Sequence, residues 1–353
     1  MGGPGNPGPS RFLATRRTER AGCMAREIRW THEFRYPDQG WTLEKCRADE
    51  AAHRRADAPW AEGWRTWMFR PSRPDEGEGP GALPDCPIID FHTHAWTDSF
   101  APHLIPRFVE AGGATPFDPG TIDGLRERKR KLGVTKSVVL PVPTKPSQVP
   151  RYNDWLVDFL DDPDIIPFMS VHPAMEDPAA EVRRCARLGF KGMKLHPVDQ
   201  RFRMTDPAMF PVYEAAIDAG MVILFHTGFT LDAAASGPDW DCSPAEIARW
   251  YELFPYERTV LAHLSGSDRS IMDTPAPDPA WPGYLDLAFQ LGRQRNEDVL
   301  RIVRGYGVDR VVFGTDSPWE WTEDYLVRLA HVGFTEEELR AILYGNAARL
   351  LGL

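Results

Sequence analysis

The chain is poor in cysteine, with five among 353 residues. They stand at positions 23, 46, 86, 185 and 242, and no two form a Cys-x-x-Cys pair. So scattered an odd set builds neither a disulfide framework nor a zinc ribbon, and a reducing cytoplasm is the expected compartment. Positive charge is also short: 41 Lys and Arg face 51 Asp and Glu, for a net charge of −10. That balance argues against nucleic acid or an anionic membrane surface as partner. No apolar run approaches the roughly 20 residues of a spanning helix. Met1–Arg20 lacks the apolar segment of a secretory signal. No shorter period repeats along the chain, which excludes a solenoid or propeller.

What is present divides into three. Residues 1–23, opening Gly-Gly-Pro-Gly-Asn-Pro-Gly-Pro, are expected to be a disordered leader. Residues 24–87 form an extension and linker. Within it, Ile28, Trp30, His32, Phe34 and Tyr36 alternate with polar residues like a strand, and Leu43 to Ala58 has the pattern of a short helix. Five of the twelve tryptophans lie there, so the segment is expected to pack on something: the barrel bottom, a second copy or the active-site mouth. Pro71 to Pro87 is rich in proline and glycine, as a linker is.

From Ile88 to Leu353 strands and helices alternate, the signature of a parallel sheet. Strand candidates are 88–94, 137–142, 165–172, 190–196, 222–227, 259–264, 284–289 and 311–316, the number that closes an α/β (β/α)8 TIM barrel. The seventh is the weakest and has some helical character. Asp177-Pro178, Asp206-Pro207 and Ser243-Pro244 place an N-cap before a first-turn proline, and Thr335 with Glu338 forms a capping box. Gly189, Gly220 and Gly333 fit helix stops.

Six of the ten histidines (92, 94, 172, 196, 226 and 263) fall at predicted strand ends, the end of such a barrel that carries the active site. His92 and His94 share a face of an extended strand. By the same alternation Leu224 and His226, Leu261 and His263, and Val312, Gly314 and Asp316 point inward. Imidazoles and one carboxylate make a borderline-soft donor set suited to zinc, and also to manganese or iron.

At these residues the chain resembles the amidohydrolase superfamily, specifically the amidohydrolase-related branch that includes aminocarboxymuconate-semialdehyde decarboxylase. The resemblance rests on Ile89-Asp90-Phe91-His92-Thr93-His94, Gly189-Phe190-Lys191-Gly192-Met193-Lys194-Leu195-His196-Pro197, Phe225-His226-Thr227-Gly228, Ala262-His263-Leu264-Ser265-Gly266 and Phe313-Gly314-Thr315-Asp316-Ser317-Pro318. The closing Tyr344-Gly345-Asn346-Ala347-Ala348-Arg349-Leu350-Leu351 is similar too. The resemblance implies one divalent metal, zinc first, held by His92, His94, His226 and Asp316. It implies catalytic roles for Asp316 and His263, a small-molecule substrate, and a homodimer of the kind this branch often forms.

Zinc can lower the pKa of its water to about 7 and so supply a nucleophile at neutral pH. Asp316 can take the water's proton. The first expectation is therefore hydrolysis of an amide, ester or lactone. The alternative is non-oxidative decarboxylation, with CO2 as product. His226-Thr227-Gly228 and His263-Leu264-Ser265-Gly266 depart from the decarboxylase pattern, in which His-Pro and a glycine-rich continuation are usual. Lys194 shares parity with His196, so it is expected inside, as a carboxylated metal bridge, a substrate contact or a structural cation. His172, His196, Trp96 and Trp319 are candidate substrate contacts, although both Val-His-Pro and Leu-His-Pro can simply turn the chain. Phe229 and the long loop 265–283, with Ser265 and Arg269, complete the expected pocket wall and lid.

Overall fold

A computed structural model describes residues 16–20, 23–27, 79–110, 116–228, 242–266, 276–291, 294–320 and 322–353. The sequence-expected strand at 28–36, the helix at 43–58, Phe229 and Arg269 lie outside the described residues. Strands β1 (Arg16–Arg20) and β2 (Cys23–Glu27) pair antiparallel, and β2 pairs with β3 (Ala82–Pro84). Part of the stretch expected to be a disordered leader is therefore strand, and part of the expected linker supplies its third member. Proline at the end of β3 suits an edge, where no further ladder partner needs its missing N–H.

The remaining strands are β4 (Ile89–Thr93), β5 (Lys136–Val139), β6 (Ile165–Pro167), β7 (Met169–Ser170), β8 (Gly192–Leu195), β9 (Val222–Phe225), β10 (Thr259–Leu261), β11 (Tyr284–Asp286) and β12 (Val311–Val312). They run parallel in chain order. β6 and β7 are two parts of one strand broken at Phe168, whose N–H still reaches Val139 O at 3.0 Å. The cylinder closes between β12 and β4: Phe91 N–H donates to Phe313 O at 2.8 Å, Asp316 N–H to His92 O at 2.8 Å and His94 N–H to Ser317 O at 2.6 Å. The result is the expected (β/α)8 barrel, and its uncertain seventh strand is a strand.

Alternation along these strands sorts the apolar residues into two bodies. Ile89, Phe91, Val138, Leu140, Ile166, Phe168, Val222, Leu224, Val260, Ala262 and Val312 fill the interior. Val139, Met169, Met193, Leu195, Ile223, Phe225, Leu261, Leu285 and Phe313 face the helices. The C-terminal helix (Asn346–Leu351) plugs the bottom, with Ala347, Ala348, Leu350 and Leu351 joining the interior set. Leu261 thus faces outward, against expectation, so strand parity alone does not bring His263 inside.

The caps behave as their sequences predict. Asp177 accepts from Ala180 N–H, Ser243 from Glu246 N–H, and Thr335 with Glu338 forms the reciprocal box. Gly189, Gly220 and Gly333 all adopt positive φ. No described helix is long and apolar enough to cross a membrane.

Glu246, in the first turn of the helix Pro244–Leu253, anchors that helix to the loop after β8. It accepts from Arg203 Nη2 at 2.7 Å, Thr205 N–H at 3.0 Å and Thr205 Oγ1 at 2.7 Å. Burial alone would raise its pKa, but these donors hold it below the ordinary value of 4.5. A depressed carboxyl stabilises the fold above its unfolded pKa, and that contribution disappears as pH falls through the folded value. Glu246→Gln is expected to cost about 1–2 kcal/mol at pH 7 and to lower Tm by a few degrees. The Tm gap to wild type, followed by calorimetry, should narrow below pH 4.5; a gap that is flat or widens in acid contradicts the assignment.

Candidate metal centre

The C-terminal ends of the strands gather one buried polar cluster. His92 and His94 come from β4, Lys194 and His196 from the end of β8, and His226 from the end of β9. His263 follows β10, Asp286 ends β11 and Asp316 follows β12. All eight residues are buried. His92 and His94 both reach the cluster through a register shift in β4 between Asp90 and Thr93. Gly314 makes room for them, since a Cβ there would stand 2.9 Å from that of His92. His263 arrives by another route: His263, Leu264 and Ser265 all lie in left-handed backbone, with φ of 58°, 50° and 60°. This turn swings the imidazole inward despite the outward parity of Leu261. It ends at Gly266, where a Cβ would meet the Gly228 backbone at 2.5 Å.

Hydrogen bonding fixes how each imidazole carries its proton. His94 Nδ1 lies 2.8 Å from Leu140 O. A carbonyl only accepts, so Nδ1 is protonated and Nε2 presents a lone pair. His263 Nδ1 likewise donates to Ala288 O at 2.9 Å, leaving its Nε2 to accept from His226 Nδ1 at 3.0 Å. His226 Nε2 is consequently a bare lone pair, buried and without a hydrogen-bond partner. His92 Nδ1 donates to the Asp286 carboxylate at 2.7 Å, so its Nε2 is unprotonated as well and accepts from the Lys194 ammonium at 3.2 Å. His92 and His94 turn those lone pairs on Asp316 Oδ1, at 3.5 and 2.9 Å.

Burial lowers the pKa of His92, His226 and His263, so the rings are neutral. Burial raises the Asp316 carboxyl, and protons on His92 and His94 would bring it below the usual carboxylate range. Acceptors that confront acceptors across 2.9 Å repel unless a cation or proton lies between them. A divalent ion fits this donor set, in which the Asp286 carboxylate orients His92, the Leu140 carbonyl orients His94 and the His263 ring orients His226. One oxygen or nitrogen from each of His92, His94 and Asp316 falls within 4.8 Å of the others. His226 stands outside that compact trio, and its claim rests on the unpartnered Nε2.

The other expected residues divide. Lys194 Nζ is 3.2 Å from His92 Nε2, inside the cluster, and burial brings its pKa down to about 8. His196 stacks on His226, with ring centroids 3.9 Å apart and planes at 11°. Its Nδ1 accepts from Asp199 N–H at 3.2 Å, so this ring braces His226. His172 Nδ1 accepts from Ala174 N–H at 3.2 Å, within its own turn. Trp96 stacks on His94 at 6.2 Å and meets Trp319 at 5.8 Å, making an aromatic wall.

Asp286 went unnoticed in the sequence. It is fully buried, and burial raises its pKa to about 6. Its Oδ2 accepts from His92, while Oδ1 accepts from His263 N–H at 2.9 Å and Ala288 N–H at 3.1 Å. Its signal was an acidic residue at the same strand-end position as His226, on a strand too short for clear alternation. In Asp286→Asn the amide oxygen stays with the two backbone N–H groups, which turns the NH2 on His92 Nδ1. His92 must then protonate Nε2 instead. Divalent-metal affinity is expected to fall about 10–100-fold, measured by competitive chelator titration with the fold checked by circular dichroism. Unchanged affinity removes Asp286 from the site.

Several solved structures share the fold. A 5-carboxyvanillate decarboxylase from Sphingomonas paucimobilis aligns with TM-score 0.58 and 14% identity, over 76% of this chain and 99% of its own. A dihydroxybenzoic acid decarboxylase from Polaromonas sp. JS666, solved with manganese and the inhibitor 2-nitroresorcinol, gives TM-score 0.58 and 18% identity over 76% and 97%. An uncharacterised TIM-barrel protein from Bordetella bronchiseptica gives TM-score 0.59 and 20% identity over 76% and 99%. No curated protein matches the sequence. The family model described as Amidohydrolase matches residues 89–353, the same stretch that builds the barrel and its histidine cluster, and the chain belongs to that family.

Proposed function

We propose that this protein is a metal-dependent carboxy-lyase that removes CO2 from a small, planar carboxylic acid. The observation that carries this reading is Lys194, a cation buried to 1% exposure in the cluster that also presents the imidazole lone pairs. With a divalent ion on those lone pairs, the charges of Asp316 and Asp286 leave positive charge in excess. An anionic substrate balances it. Trp96 and Trp319 provide a flat apolar wall beside His94 for a planar body. The related decarboxylases act on aromatic acids by their names, and the Polaromonas enzyme holds manganese. This favours decarboxylation over the hydrolysis expected first, and it makes manganese a candidate beside zinc.

The proposed metal ligands are His92, His94, His226 and Asp316. A divalent ion held by these residues would supply Lewis-acid charge. Loss of CO2 leaves an electron pair on carbon, which must take up a proton. Lys194 carries transferable protons within the cluster, and a pKa of about 8 keeps it charged at neutral pH while leaving the proton mobile. His263 has both ring nitrogens engaged. Its role is therefore to fix the tautomer of His226 rather than to touch substrate, a revision of the catalytic part first given to it.

Hydrolysis stands as the second reading. Asp316 is a buried carboxylate able to accept a proton from water, and the residues after His226 and His263 depart from the decarboxylase pattern.

Turnover of a panel of hydroxybenzoates together with aryl esters, amides and lactones, in D2O and in H2 18O, separates the two. Decarboxylation releases CO2 and places deuterium on the carbon that lost it. Solvent 18O in the product, with no CO2, sinks the lyase reading. Lys194→Met is expected to lower kcat about 100-fold or more with metal content retained. His226→Ala is expected to lose metal and activity together while the barrel stays folded.

A further inference from the structure

Beneath the cluster lies a second buried polar group that the chemistry above does not use. The helix Ile122–Leu132 turns Ile122, Leu125 and Leu132 toward the barrel, and Lys129 lies on that same buried face. Its ammonium donates to Asp90 Oδ2, to Thr322 Oγ1 at 2.7 Å and to Thr315 Oγ1 at 3.2 Å. All three of its protons are thereby used. Asp90 Oδ1 accepts from Thr315 N–H at 3.0 Å and His92 N–H at 3.3 Å, while Oδ2 also takes the Thr315 hydroxyl at 2.6 Å. Thr315 Oγ1 accepts in turn from Ser317 N–H at 3.1 Å. The Lys129 protons, both Asp90 oxygens and the Thr315 hydroxyl are all engaged, and Lys129, Asp90, Thr315 and Thr322 are all buried.

The backbone groups that this network holds are informative. They are the N–H of His92 and the N–H groups on either side of Asp316. Asp316 itself has φ of 67°, a left-handed conformation that a residue with a side chain adopts only when its surroundings impose it. The network also bridges the seam between β4 and β12, where β12 is only two residues long.

We infer that Lys129, Asp90, Thr315 and Thr322 form a positioning unit: a buried ion pair and two hydroxyls that hold Asp316 in its left-handed conformation and register it against His92 and His94. The inference rests on the proposed ligand assignment. A unit that merely stabilised the barrel would leave the geometry at the metal unchanged; this one sets it.

Full-length protein titrated with Co(II) alone tests the unit, read by equilibrium affinity and by the visible ligand-field spectrum. Thr322→Val and Lys129→Met are expected to bind Co(II) about 10–100-fold more weakly with an altered band envelope. Thr315→Val should behave the same way, and Thr315→Ser, which keeps the hydroxyl, should restore wild-type binding. Glu246→Gln, which loses stability away from the cluster, controls for stability and should bind as wild type. If Lys129→Met does not fold, Thr322→Val and the two Thr315 variants decide. Wild-type affinity and spectrum in those variants overturn the inference while the ligand assignment stands. Failure of the wild-type protein to take up Co(II) overturns the ligand assignment, and the positioning unit with it.

Discussion

The structure turns on lone pairs that confront one another. His92 and His94 aim unprotonated nitrogens at the same oxygen of Asp316, and each ring is locked in that state from behind, by Asp286 and by Leu140 O. Electrostatics makes such an arrangement unfavourable alone and favourable around a cation. The barrel supplies the constraint. Closure of the sheet at β4 and β12 brings the start and end of the domain side by side, so residues more than two hundred positions apart share one centre. Removing the closure would leave each donor on a separate strand end with nothing to face.

Apolar alternation and polar mouth are two results of one pattern. Lower positions of each strand fill the interior with Val, Leu, Ile and Phe, and the C-terminal helix seals the base. The next inward position on several strands is then histidine, lysine or aspartate. The dry floor lowers the pKa of His92, His226 and Lys194 by burial. Neutral rings are what a metal needs, and an ammonium near its titration range is what proton delivery to carbon needs.

Much of this was legible in the sequence because strand ends and helix caps leave local marks. His-x-His after an apolar run, the Gly-Thr-Asp at the eighth strand and the capping prolines fall where expected. The misses share a physical origin. His263 enters through left-handed backbone, which periodicity does not register. Asp286 sits on a strand of three residues, too short to show alternation. Lys129 stands in a run of charged residues, and only its spacing from Ile122, Leu125 and Leu132 marks the buried face. His172 and His196 carry equal sequence weight, yet only tertiary packing sets one as a brace and the other as a turn. The choice between CO2 release and hydrolysis leaves conflicting marks: the residues after His226 and His263 depart from the decarboxylase pattern, while the buried Lys194 beside the imidazoles suits an anionic substrate.

The contact between Gly228 and Gly266 has a consequence for how such a pocket changes its substrate range. The segments leaving β9 and β10 touch through bare main chain, with no room for even a methyl group on Gly266. Neither segment can be exchanged, lengthened or given a bulkier residue at that point without displacing the other. Diversification at this point of the rim, in nature or in a library, therefore has to proceed by paired replacement.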